Sequence, residues 1–350
     1  MAERVVSSGF ATGSKGAEAL LDDAVAMALA KLAGPVSGAL IAFSPSHLPQ
    51  PRAALQRLAR RLSCLQIRAA SFPGVISDHG SALGQAACAV LLFSSPLGLG
   101  AHGANTLLWA SPQDLDAGEL PAEESASMGV VTSKLSWFWQ YPQRRHLLRT
   151  ALLGPLQHQQ EISSGISPLT TLFPYFRQEG ALLLQLERYS ALPLLARSIP
   201  FALREARRLP LDQLLVAERD AQSRIRYLHI VATDSNRSGL WLERPLRANS
   251  QVFLAWRNPD AALRDTRVIL EAVKPREMPN FAWLSYSSSR AMVFSSQAKN
   301  ELSLWHEHFP NCPMLGAFAH AELITGGSGP ELQRFSLVMD LFYRQGTWNT

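Results

Sequence analysis

Cys312-Pro-Met-Leu-Gly-Ala-Phe-Ala-His-Ala-Glu-Leu-Ile-Thr-Gly-Gly-Ser-Gly329, followed by Phe335-Ser-Leu-Val-Met-Asp-Leu-Phe342, decides how the chain folds. An apolar run, a tight region carrying His320 and Glu322, a glycine hinge and an alternating closing strand follow one another. A second stretch has the same layout: Cys64–Ala70 as a strand, Ala70-Ser-Phe-Pro-Gly-Val-Ile76 as the tight region, and Ala86–Phe93 as a buried strand. His320 and Glu322 have two readings on the residues alone. They line a ligand pocket, or they are solvated side chains at a sheet edge.

Upstream of each stretch the pattern is helix, strand, helix. In the first half, Ala17–Leu32 is helical and is stopped by Gly34-Pro35. Val36–Phe43 is a short apolar run of buried-strand type, and Arg52–Leu62 is an amphipathic helix. In the second half, Asn258 caps a helix running to Val273, with Pro259 and Asp260 suited to its first turn. Phe281–Tyr286 is a strand and Ser295–His308 a helix. Helix, strand, helix, strand, tight segment, strand thus occurs twice, which predicts an α/β fold of two related halves.

Between these blocks the signals are weaker. Gly98–Gly103 reads as loop, Asp114–Glu124 as an acidic exposed segment, and Arg144–Leu153 as the start of a basic helix. Trp137-Phe-Trp-Gln-Tyr141 is an aromatic cluster that reads as core. Ala181–Glu187, Arg224–Val231 and Gln251–Trp256 read as strands, and Pro200–Glu218 as partly helical.

Composition narrows the function classes. The chain has 350 residues, 47% hydrophobic and 17% charged, enough for a large core in two domains or one two-lobed unit. No apolar run reaches the roughly 18–20 residues of a membrane span, and the N-terminus lacks the layout of a secretory signal. These features predict a soluble, cytoplasmic protein without a membrane partner. The net charge of +5 comes from arginines spread along helices, as at Arg52, Arg57, Arg60 and Arg61, with no nucleic-acid motif beside them. Cys64, Cys88 and Cys312 have no metal-ligand spacing and read as reduced, buried thiols.

Enzyme signatures are missing as well. There is no P-loop, no Gly-x-Ser-x-Gly elbow and no His-Glu-x-x-His. Ser44-Pro-Ser-His47 is better read as a turn than as part of a triad. His306 and His308 are two residues apart, on different faces of a helix, and make poor joint ligands. The expectation is a protein with no catalytic residues and no metal site.

Several segments, taken in order, resemble the FIST sensory family, whose N- and C-terminal halves occur together in bacterial signalling proteins. They are Gly9-Phe-Ala-Thr-Gly13, Leu40-Ile-Ala-Phe-Ser-Pro-Ser-His47, Ala69–Ile76, Leu183–Leu195, Arg226-Tyr-Leu-His-Ile230, Ser287-Ser-Ser-Arg290 and Leu315–Ile324. The resemblance spans nearly the whole chain and implies a FIST N-terminal-like domain over 9–190 and a FIST C-terminal-like domain over 191–343. For fold it implies two related α/β halves whose mixed sheets pack together with helices outside. For function it implies small-ligand sensing, of an amino acid or organic acid, relayed to a separate signalling partner protein.

The family motifs converge on Ser287, Arg290, His320 and Glu322 as the ligand site. Arg290 is suited to a carboxylate or phosphate, Glu322 to an amine, and His320 to donating, accepting or titrating. The chain departs from the family at this site. Ala319-His320-Ala321 replaces a Gly-Asn-Gly, Ser287-Ser-Ser-Arg290 lacks the family cysteine, and Ala69-Ala70 replaces a Gly-Cys turn. Added methyl groups narrow such a pocket, so a second expectation is an interaction scaffold whose ancestral pocket has closed. Some relatives are haem-based nitric-oxide sensors. Nine histidines offer axial ligands, but no Cys-x-x-Cys-His motif is present, so no cofactor is expected and haem is a lesser alternative.

Overall fold

The computed structural model describes residues 4–113, 127–174, 176–204, 209–223, 225–273, 278–294, 296–326 and 329–345. The acidic segment 114–124 lies outside them. The fold is α/β, with strands in four sheets and helices packed on them. The chain divides into two compact units, one made of 1–164 and 265–350 and the other of 165–264.

The larger unit carries the repeated layout. In its first sheet, strand Val36–Ser44 runs parallel to Ile67–Ser71 on one side and antiparallel to Ala87–Ser94 on the other, with Val6–Thr12 beyond. A second sheet repeats this plan with Phe281–Ser287, Met314–Ala319, Leu337–Arg344 and Leu156–Ser163. Each parallel pair is joined through helix, Arg52–Arg61 in one case and Ser288–Phe294 plus Ser296–His308 in the other. Each sheet is then completed by a hairpin. Phe138–Gln140 with Gln143–Arg145 completes the first, and Gly74–Ser77 with Gly80–Leu83 the second.

The second hairpin comes from the first half of the sequence. After Ser71 the chain leaves its own sheet, crosses Phe72-Pro73 and pairs Gly74–Ser77 against Met314–Ala319 of the other. The later repeat behaves in parallel fashion. Past His320 the strand Ala321–Gly326 joins a third sheet with Met128–Val131, Asn105–Ala110, Leu148–Leu153 and Gly98–Gly100. The three sheets enclose one core, in which Leu40, Phe93, Trp109, Leu148, Trp283 and Phe342 are all buried. Phe72 meets Trp109 edge-on at 5.3 Å, and Trp109 lies 5.4 Å from Trp283.

Local chemistry accounts for the elements. Helix Ala17–Leu29 buries Leu20, Leu21, Ala24, Val25 and Ala28 at helical spacing, and helix Arg52–Arg61 buries Ala54, Leu55, Leu58 and Ala59. Both pack on the outer face of the first sheet with Trp137 and Trp139, so the aromatic cluster is core as expected. Ala87–Ser94 is buried on both faces, which is why it reads as an uninterrupted apolar run. All three cysteines are free and buried.

Two readings are corrected. Arg144–Leu153 holds the strands Gln143–Arg145 and Leu148–Leu153, not a helix. Leu148, Thr150 and Leu152 alternate toward one face, and pairing with Asn105–Ala110 outweighs the helix propensity of the leucines and arginines. Gly98–Gly103, expected as loop, contains strand Gly98–Gly100 on the same sheet edge.

In the smaller unit, the strands between Ile166 and Arg257 form one sheet whose described pairings are all antiparallel. Helix Ala191–Ser198 packs on it through Ala191, Leu194 and Leu195. Asn258 caps the helix Pro259–Val273 as its sequence indicates, its Oδ1 accepting from the Asp260 and Ala261 N–H groups at 3.0 and 3.3 Å. Among the described residues no helix is long and apolar enough to cross a membrane.

Candidate functional site

Ser287 and Ala319 are the last register pair of the second sheet's parallel ladder. Beyond them the chain turns into helix Ser288–Phe294 on one strand and into His320 on the other. The carboxyl ends of adjacent parallel strands are where α/β sheets hold ligands, because the chain diverges there and leaves backbone and side chains facing a common crevice. Three of the four sequence-selected residues, Ser287, Arg290 and Glu322, hydrogen-bond the Phe335-Ser336 turn beside this point.

Glu322 is fully buried. Its Oε2 accepts from the Ser336 hydroxyl at 2.6 Å and from the Ser336 N–H at 3.4 Å, while Oε1 has no partner. Burial pushes its pKa up to about 8, against the Ser336 hydrogen bonds and the attraction of Arg290. The group is therefore predominantly a neutral acid at pH 7, able to donate one hydrogen bond. Ser287 is tied to the same segment, its N–H donating to the Ser336 carbonyl at 3.0 Å, and its hydroxyl lies 2.9 Å from that of Ser289.

Arg290 is also fully buried, and its charge is taken up inside the protein. Nη2 lies 2.5 Å from Glu301 Oε1, Nε is 3.2 Å from Oε2, and Nη1 donates to the Ser163 carbonyl at 2.6 Å. Nη2 also donates to the Ser163 hydroxyl at 2.9 Å, and Nη1 reaches the Phe335 carbonyl at 3.5 Å. Tyr286 and Thr266 donate their hydroxyls to Glu301 as well. Burial works against the Arg290 charge, but Glu301 and Tyr286 more than offset it and hold the pKa above the ordinary value. The guanidinium acts here as a clamp joining helix, strand and the Phe335-Ser336 turn.

His320 stands apart. It is exposed, its N–H donates to the Val131 carbonyl at 2.8 Å, and its ring makes no hydrogen bond to Ser287, Arg290 or Glu322. Partial desolvation and then the nearby Arg334 cation lower its pKa.

Glu301, Ser163, Tyr286, Thr266 and Ser336 complete the network and were not singled out from sequence. Only Glu301 carried a signal, as a lone carboxylate beside Leu302, Leu304 and Trp305 on the buried side of its helix. Phe335 carries a backbone signal visible only in three dimensions. Its φ of 70° is in the left-handed region, unusual for a bulky residue, and turns its carbonyl and the Ser336 N–H into the site.

The corresponding end of the first parallel pair is plugged. Ser71 Oγ donates to the Ser46 carbonyl at 2.8 Å and accepts from the Trp137 N–H at 3.0 Å. The Trp137 indole donates to the Leu48 carbonyl at 2.6 Å and packs 5.5 Å from Phe43. The two halves thus share a topology but differ at this position, with aromatic packing in one and a buried acid in the other.

A cleft of about 440 Å³ lies elsewhere, lined by Asp78, His79, Gly80, Ser303, His306 and Glu307. His306 spans from the Leu302 carbonyl, at 2.7 Å, to the Asp78 carbonyl, at 3.0 Å, while His308 faces the Leu304 carbonyl. The two histidines share no ligand position. Among the described residues no group of three or more His, Cys, Asp or Glu side chains is placed to hold a metal ion. Compared with known proteins, the chain matches no protein-family model and no curated protein.

Proposed function

We propose that this chain is a cytoplasmic, non-catalytic sensory protein of FIST type that binds a small amino acid or organic acid and signals through a separate output partner. The observation that carries the reading is Glu322, a buried acid with one unpartnered oxygen at the carboxyl end of a parallel strand pair. Such a group donates a hydrogen bond to a ligand carboxylate when neutral and holds an ammonium when ionised. Ser287, tied to the same Ser336, is its natural companion in binding, and the exposed His320 stands at the approach. Arg290 serves this site by positioning, because Glu301 already occupies its charge.

A second reading has its own support. Ser287, Arg290 and Glu322 are all inaccessible to solvent, as in a pocket that has closed and left an interaction scaffold. The purified chain separates the two readings. An absorption spectrum and thermal-shift titrations against amino acids, organic acids and haem would be collected for wild type and Glu322→Gln. Saturable stabilisation by an amino or organic acid that Glu322→Gln removes, with the variant folded, is the expected result. Absence of any stabilisation and of a Soret band would turn the assignment to the scaffold.

A further inference from the structure

Arg68 is a buried cation with no counter-charge among the described residues. It sits on strand Ile67–Ser71 at 3% exposure. Nη1 donates to the adjacent Ile67 carbonyl at 3.2 Å and Nη2 to Gln66 Oε1 at 3.1 Å, while Nε has no partner. Among the described residues no carboxylate pairs with it. By contrast, the fully buried Arg290 is paired with Glu301, and even the half-buried Arg226 has Glu218 beside it. A buried guanidinium left with neutral acceptors is unfavourable unless something else supplies negative charge.

The register shows what surrounds it. Arg68 is paired with Gln140, Gln140 with Gln143, and Arg145 follows two residues later on the same strand. Residues directly opposite in an antiparallel ladder project to the same face, as do residues two apart along a strand. Arg68, Gln140, Gln143 and Arg145 therefore share one face at the edge of the first sheet. Exposure rises along the row, from buried Arg68 through half-buried Gln140 to exposed Gln143 and Arg145. Burial holds the Arg68 pKa below its ordinary value; the nearby Cys64 opposes this, and the Arg145 charge adds to it.

We infer that this row is an anion subsite, in which Arg68 and Arg145 hold a small oxyanion of the phosphate or carboxylate type with the two glutamine amides as additional donors. Guanidinium groups match such oxyanions with paired hydrogen bonds, and an edge hairpin leaves one side open to solvent. The site lies on the first sheet, away from Glu322, and does not depend on the sensory reading.

The test uses the purified full chain and inorganic phosphate or acetate as probes, titrated against chloride at matched ionic strength and read by thermal shift and calorimetry. A saturable response to phosphate, acetate or both, beyond that to chloride, is expected. Arg145→Gln, at an exposed position, should weaken it about tenfold or more, a factor in keeping with loss of one charge-assisted hydrogen-bond partner. Arg68→Met should abolish it while leaving the anion-free protein as stable as wild type or more so, since a charge without a partner is removed. Arg60→Gln, an exposed arginine on the helix Arg52–Arg61, should leave it unchanged. Responses to phosphate and acetate no greater than to chloride, or a response that survives in Arg145→Gln, would overturn the assignment even if Arg68→Met does not fold.

Discussion

At the scale of single residues, Glu322 makes the most specific claim. Its folded pKa of about 8 lies above the roughly 4.3 of an unfolded glutamate. The folded state therefore holds more protons than the unfolded state between these values, and the contribution of Glu322 to stability falls as pH rises from about 4.3 to 8. Asp340, also buried and raised by burial, adds a slope of the same sign. Comparison with Glu322→Gln isolates the first. Urea-unfolding free energies across pH 5 to 8 should fall less steeply in the variant, by up to about 1.4 kcal/mol per pH unit. Parallel curves for the two proteins would show that Glu322 is ionised in the folded state. Arg290 is a poorer choice for such a test, since its removal leaves Glu301 buried without its cation, a change that typically costs about 3–5 kcal/mol.

At the scale of elements, close approach decides what the strands tolerate. Gly9, in strand Val6–Thr12, faces helix Ala17–Leu29 so tightly that a Cβ there would overlap the Ala24 carbonyl oxygen and come within 2.9 Å of its carbon. Backbone atoms cannot yield as a side chain can, so the helix would have to lift from the sheet. Gly9→Ala is expected to destabilise the protein by about 1–3 kcal/mol, read as a lower urea midpoint at unchanged m-value. A midpoint equal to wild type would mean that the helix is not held at this distance. Gly74 is constrained in the same way, since a Cβ would come within 2.6 Å of the Phe318 ring where the first half's hairpin meets the second half's strand.

At the scale of the whole molecule, the two halves of the sequence are interleaved. Gly74–Ser77 belongs to the sheet of Met314–Ala319, Leu156–Ser163 is the edge partner of Leu337–Arg344, and Ala321–Gly326 completes a sheet with Met128–Val131. Separate fragments 1–190 and 191–350 would each leave strand edges and core faces open. Neither should give a cooperative unfolding transition by circular dichroism, whereas the full chain should; cooperative unfolding of both fragments would refute the interleaving. Much of this molecule was legible in the sequence. Helical spacing of Leu20, Leu21, Ala24 and Val25, the apolar run at Ala87–Phe93, the Asn258 cap and the repeated order of elements are local patterns, and local patterns follow from steric and hydrophobic rules that need no partner. The sequence also drew attention to Ser287, Arg290 and Glu322, which all bond to the Phe335-Ser336 turn. Contacts between residues far apart in the chain were decided only by the tertiary structure. These include the strand exchange after Ser71, the strand at Leu148–Leu153, the solvent-exposed position of His320, and the placement of Arg290 against both Glu301 and Ser163. Strand partners and buried charges depend on which distant groups are brought within hydrogen-bonding distance, and residue order alone does not specify those distances.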